Sequence, residues 1–229
     1  MTQECSCVFL KNLSKSYFDG GDEIKILEDV SAGIENSKIT LILGKSGSGK
    51  STLLNLISGI DVPSKGQVYI NNVSLGDLSE EQRTVYRREY IGIVFQSFHL
   101  ISSLTVLDNI LLPLELNNIN EEKSTEVANE ILQMVDLHSK ANAFPDTLSG
   151  GEQQRAAIAR SIVHSPQIII ADEPTGNLDN RTGDRIIKIL FDLVREKNKT
   201  LIMATHSEDL IDRSDGAYII ENFKLNKIK

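Results

Sequence analysis

Apolar residues along the chain fall into two alternating rhythms. Short β-branched runs, ITLIL (39–43), IGIVF (91–95), IIIA (168–171) and TLIMAT (200–205), are nearly continuous, as suits strands covered on both faces. Stretches with helical spacing separate them, which predicts an α/β core with a mainly parallel sheet. Before Ile39, VFLKNLSKSY and IKILEDVSAGI alternate more loosely and predict an antiparallel N-terminal β-subdomain. Between Phe95 and Pro166 the strand signal disappears. There Val127, Ile131, Leu132 and Val135, then Ile158, Ile162 and Val163, recur at helical spacing, so a helical subdomain of approximately 97–165 is expected as an insertion in the core. After Asp215, GAYIIENFKLNKIK predicts a terminal strand pair. There is no internal repeat or linker, and one domain spanning 1–229 is expected.

Composition adds mainly exclusions. The 229 residues carry a formal charge of -8, which argues against a nucleic-acid surface, because phosphate contacts need clustered Lys and Arg. The densest basic stretch, RTVYRREY, is expected to place Arg83, Arg87 and Arg88 on a solvated helix face. No apolar run approaches a membrane span, and MTQECSCVFLK lacks the order of a signal peptide, so a cytosolic location is expected. Cys5 and Cys7 are expected as free thiols, since zinc would want further Cys or His ligands nearby.

The chemistry begins with GKSGSGKST, residues Gly44, Lys45, Ser46, Gly47, Ser48, Gly49, Lys50, Ser51 and Thr52. It fits the phosphate-binding pattern G-x-x-x-x-G-K-[ST] between a strand and a helix. The glycines let successive N–H groups turn inward around phosphate, Lys50 bridges the β- and γ-phosphates, and the Ser51 hydroxyl helps hold Mg²⁺. QIIIADEPT ends a buried strand in Asp172 and Glu173: Asp172 is an oxygen ligand for a hard cation and Glu173 a group to polarise attacking water. Gln96 and His206 also end apolar strands, and His206 is predicted to share the sheet edge of Asp172 and hold the γ-phosphate and water. His99, His138 and His164 are expected to be structural. A second anion-binding pattern, TLSGGEQQR, opens a helix near residue 149. The phosphate loop and strand-end acids alone leave small-molecule kinases, GTPases, helicases and transport ATPases open.

LSGGEQQR resembles the signature of ATP-binding-cassette (ABC) proteins, and the other motifs follow in that family's order over nearly the whole chain. The resemblance implies a P-loop NTPase (RecA-like) core. It also implies an adenine-stacking role for Tyr17, with Phe18 the weaker candidate, a Q-loop glutamine at Gln96 that serves catalysis and Mg²⁺, and a D-loop at NLD, ending in Asp179. Asp172 and Glu173 fall in the Walker B motif, and His206 is the switch histidine. Ser149, Gly150, Gly151 and Glu152 would contact ATP in trans, because two such subunits pair head to tail. The stretches RREYIGIVFQSFHLISSLTVLDNILLPL and ADEPTGNLD are similar to a bacterial subgroup of macrolide-efflux, lipoprotein-release and cell-division ATPases. That similarity implies an ATPase subunit on the cytoplasmic face of the membrane. It would serve a separate permease that docks between Gln96 and Leu107, with no nucleic acid bound. The alternative is a soluble ABC ATPase acting on ribosomes or DNA, although too few residues separate Gln96 from the signature for a long coiled coil. Three departures stand out: Lys45 replaces a frequent proline, ENSKITLIL lacks the usual Gly-Glu, and ENFKL replaces an Asp-Gly turn, which assigns Asn222 a left-handed backbone.

Overall fold

The computed structural model describes residues 6–229, so Cys5 lies outside the described residues. The chain forms two compact units, one comprising the described residues up to Arg87 together with Asn198–Lys229, the other Arg88–Lys197.

In the first unit β1 (Ser6–Asp19) and β2 (Asp22–Glu35) form a long antiparallel hairpin, and β4 (Lys65–Ile70) pairs with the other edge of β1. β5 (Val73–Ser74) completes this sheet in the order β2-β1-β4-β5. The β4–β5 hairpin is absent from the sequence expectation, although its turn signal is there. Asn71 and Asn72 both take left-handed angles, φ 48° and 65°, as a tight two-residue turn requires.

The same unit holds β3 (Ile39–Leu43), all five residues of which are buried, flanked by two parallel partners, β8 (Thr200–Thr205) and β9 (Gly216–Glu221). β10 (Lys224–Lys227) returns antiparallel to β9 through Asn222 and Phe223, so the expected terminal pair and the left-handed Asn222, φ 48°, are both present. α1 (Lys50–Ile57) follows β3.

α2 (Glu80–Tyr90) leads into the second unit. Its arginines correct the expected solvated face: Arg83, Arg87 and Arg88 are half-buried. Nη1 of Arg83 donates to the Leu78 carbonyl at 2.8 Å, and Nη1 of Arg87 to that of Gly59 at 3.1 Å. They tie down loop carbonyls, which a charge run in the sequence cannot reveal.

In the second unit β6 (Ile91–Val94) and β7 (Ile168–Asp172) are parallel partners, with Val94 opposite Ala171. Between them in sequence lie α3 (Val106–Leu116), α4 (Glu121–Met134) and α5 (Gly150–Ile162), which bury Ile110, Ile131, Leu132, Ile158 and Ile162. α6 (Asn180–Glu196) buries Ile186, Ile187, Leu190, Phe191 and Val194 along one stripe. No helix among the described residues is long and apolar enough to cross a membrane.

β6 and α5 approach so closely that a Cβ on Gly92 would overlap the Ser161 carbonyl oxygen. Gly92→Ala is therefore expected to cost about 1–3 kcal/mol of stability by overpacking, read as a lower urea midpoint; an unchanged midpoint would refute the close approach.

Candidate functional site

The phosphate loop sits where β3 ends. Gly49, at φ 102°, adopts a backbone that other residues rarely take, and a Cβ there would lie 2.8 Å from Cγ2 of Ile26. This turn joins the segment after β3 to the start of α1. α1 has no side-chain cap and no acidic residue in its first turn, leaving its N-terminal dipole uncompensated by the chain. Among the described residues the other α-helices are each closed by a side chain: Ser79 on α2, Thr105 on α3, Asn120 on α4, Ser149 on α5 and Asp179 on α6.

Within the loop the Lys50 ammonium donates to the carbonyls of Gly44 at 3.0 Å and Lys45 at 3.2 Å, and the residue is buried. Its charge is thus held against the loop. Oγ of Ser48 is buried without a hydrogen-bond partner, an unsatisfied group that suits an incoming phosphate oxygen. Lys45, Ser46, Gly47 and Ser51 are exposed. His206 follows β8, and Leu43 pairs with Thr205, so the loop and His206 leave adjacent strands at one edge.

Tyr17, near the end of β1, donates its hydroxyl to Oδ2 of Asp61 at 2.7 Å. Burial, then the Asp61 contact, raises its phenol above the ordinary value. Phe18 is 77% exposed, with none of these ties.

The second unit assembles another set. Gln96, after β6, and Glu173, after β7, leave a parallel pair at the same edge. Nδ2 of Asn177 donates to the Gln96 carbonyl at 3.0 Å, and a Cβ on Gly176 would lie 2.6 Å from Nε2 of Gln96. Glu173 takes φ 42° and its carbonyl accepts from the Gly176 N–H at 3.0 Å, a tight turn just past Asp172. Asn177 therefore bridges the glutamine loop and the turn after β7.

The helix with the signature pattern packs onto the start of α6: a Cβ on Gly150 would lie 3.2 Å from Cδ2 of Leu178, and one on Gly151 2.6 Å from Cγ2 of Thr182. Ser149 caps α5 as the sequence suggests, but its hydroxyl is already engaged. It donates to Oε2 of Glu152 at 2.7 Å and accepts from the Glu152 N–H, while the Ser149 N–H donates to the same carboxylate at 2.8 Å. These bonds hold the Glu152 carboxyl below the usual carboxylate range. Asp179 caps α6 by accepting from the Thr182 N–H at 3.1 Å, and its hydrogen bonds with Thr182 lower its pKa likewise. Among the described residues no cluster of His, Cys, Asp and Glu could hold a metal ion by itself.

The family model described as ABC transporter matches residues 27–176. This chain belongs to the ABC transporter family. An ABC transporter ATP-binding protein of Mycobacterium tuberculosis is 47% identical over 218 residues, covering 95% of the cassette and 88% of that protein. The lipoprotein-releasing system ATP-binding protein LolD of Rickettsia bellii is 39% identical, covering 95% of the cassette and 96% of that protein. A solved dimeric, post-hydrolysis state of the ATP-binding cassette MJ0796 of Methanocaldococcus jannaschii, with ADP and Pi bound, matches with a TM-score of 0.88 at 39% identity. That match covers 97% of this chain and 99% of the other. The expected cassette fold and ATPase class hold, and the small-molecule kinase is set aside.

The cap geometry makes a stability prediction. Glu152→Gln, which keeps an acceptor in the capping box and loses the charge near the helix N-terminus, should cost the cassette about 0.3–1 kcal/mol at neutral pH. Because the folded carboxyl pKa is depressed, that contribution is present at neutral pH and is lost as pH falls through the folded value. The gap between wild type and variant should close in acid; a gap that persists would assign the stabilisation elsewhere.

Proposed function

We propose that the cassette works as a head-to-tail homodimer, with each ATP held between the phosphate loop of one copy and the start of α5 in the other, and that closure drives a separate integral membrane permease. The observation that carries this reading is the contrast between two helix starts. α1 is left open to an anion, whereas α5 carries an internal carboxylate and exposes Ser149. The first suits a resident phosphate chain; the second suits a contact made and broken during a cycle. The dimeric state of the M. jannaschii cassette supports the pairing.

Lys50 neutralises the β- and γ-phosphates, and the loop N–H groups from Gly44 to Thr52 orient them. Ser51, Asp172 and Gln96 offer neutral and anionic oxygen donors, a set that fits Mg²⁺, which when bound supplies charge neutralisation at the phosphates. Glu173 takes the proton of the attacking water, and His206 orients that water against the γ-phosphate. Gly150, Gly151 and Glu152 present the signature turn to the partner's nucleotide, and Asp179 fixes the adjoining start of α6. Hydrolysis cleaves the γ-phosphate as inorganic phosphate, and its departure removes the charge that held the copies together.

The permease is assigned to the stretch between Gln96 and Leu107, where Ile101 is 40% exposed. Phe98 and His99 take left-handed angles there, φ 60° and 51°, held by Arg160, which donates to their carbonyls at 3.0 and 2.7 Å. The lipoprotein-release relatives favour a membrane partner over ribosomes or DNA and support the efflux, lipoprotein-release and cell-division subgroup. A position on the cytoplasmic face of the membrane follows from that assignment.

Glu173→Gln should retain ATP binding, lose about 10²-fold or more of turnover and accumulate as an ATP-bound dimer on size exclusion. Turnover near the wild-type rate would remove Glu173 as the base. Lys50→Ala should weaken ATP binding in calorimetry, and unchanged affinity would refute the loop assignment.

A further inference from the structure

A half-exposed tyrosine stacks on a nucleotide base more tightly when its ring is already oriented, because ordering a free side chain opposes binding. Tyr17 is 41% exposed, yet it is fixed from two directions. Its hydroxyl is held by Oδ2 of Asp61 at 2.7 Å. One face of its ring is covered by the Lys15 ammonium, 4.7 Å from the centroid. That ammonium is itself immobile: Lys15 is 7% exposed and donates to Oδ1 of Asp61 at 2.7 Å and to the Val62 carbonyl at 2.9 Å.

Asp61 thus uses one carboxylate oxygen on each residue. Its own backbone is anchored to the phosphate-loop helix, because the N–H groups of Ile60 and Asp61 both donate to the Asn55 carbonyl of α1, at 3.0 and 3.1 Å. Tyr17 is tied to that helix through Asp61. The tyrosine and the phosphate loop therefore share one rigid support.

We propose that Lys15 and Asp61 are positioning residues for nucleotide recognition, fixing the Tyr17 ring as a base-stacking platform in register with the phosphate loop. This rests on the assignment of Tyr17 as the base platform. The cation on one face also draws electron density from the ring, which leaves the opposite face better suited to an electron-rich purine. Neither Lys15 nor Asp61 touches the nucleotide in this account; both act through Tyr17.

The test compares ATP with inorganic tripolyphosphate, which has the phosphates and no base, binding to the full chain with Mg²⁺ in calorimetry. Asp61→Asn and Lys15→Met should each weaken ATP by about 3- to 10-fold while tripolyphosphate changes by less than about twofold. Tyr17→Phe, which keeps the ring and loses the hydroxyl, should weaken ATP similarly, and combining it with Asp61→Asn should weaken ATP no further than the worse single change. Equal losses for ATP and tripolyphosphate would show that Lys15 and Asp61 merely support the fold and would overturn the proposal. If Tyr17→Ala weakens ATP but Asp61→Asn does not, the platform stands and the positioning role falls. If Tyr17→Ala leaves ATP unchanged, the platform itself is wrong and the inference falls with it.

Discussion

A helix start whose N–H groups meet no side-chain cap is fully open to a phosphate chain, and among the described residues the α-helix that starts this way is α1. The five remaining α-helices are closed by Ser79, Thr105, Asn120, Ser149 and Asp179. The exception depends on β3: a strand with every residue buried fixes the point from which the loop leaves, and Gly49 then turns the chain into the helix. Lys50, Tyr17 and His206 gain their meaning from this one feature, since each is held on a strand or helix that meets it.

The start of α5 follows a different physical logic. The Ser149 hydroxyl and N–H are engaged with Glu152, so an approaching phosphate meets an exposed serine backed by a carboxylate. Such a site binds weakly until other contacts assemble around it, which is what a reversible dimer contact requires. The packing of Gly150 and Gly151 against Leu178 and Thr182 couples that helix start to the turn after β7, and Asn177 extends the coupling to Gln96. The glutamine loop and the signature are thus joined by a continuous chain of contacts.

Strands covered on both faces were legible almost to the residue, β3 and β8 above all, because two-sided burial leaves an uninterrupted apolar run. β4 and β5 escaped because their residues are partly exposed and their turn is marked only by Asn71 and Asn72. The phosphate loop and signature could be read because their constraints are local in sequence. Lys15, Asp61 and Asn177 could not, since their partners lie 46, 44 and 81 residues away and no local spacing records the pairing. The arginines of α2 were misread because their acceptors are backbone carbonyls of folded loops, which carry no side-chain signal in the sequence.

The central claim is that each copy lends the start of α5 to the other's nucleotide, and mixing two inactive variants tests it most directly. Lys50→Ala disables the phosphate loop and Ser149→Arg the α5 start. A dimer of one copy of each brings one intact loop to one intact α5 start. The mixture should hydrolyse ATP well above the sum of the two variants measured separately. Activity that stays at that sum, or Ser149→Arg alone hydrolysing at the wild-type rate, would contradict the claim.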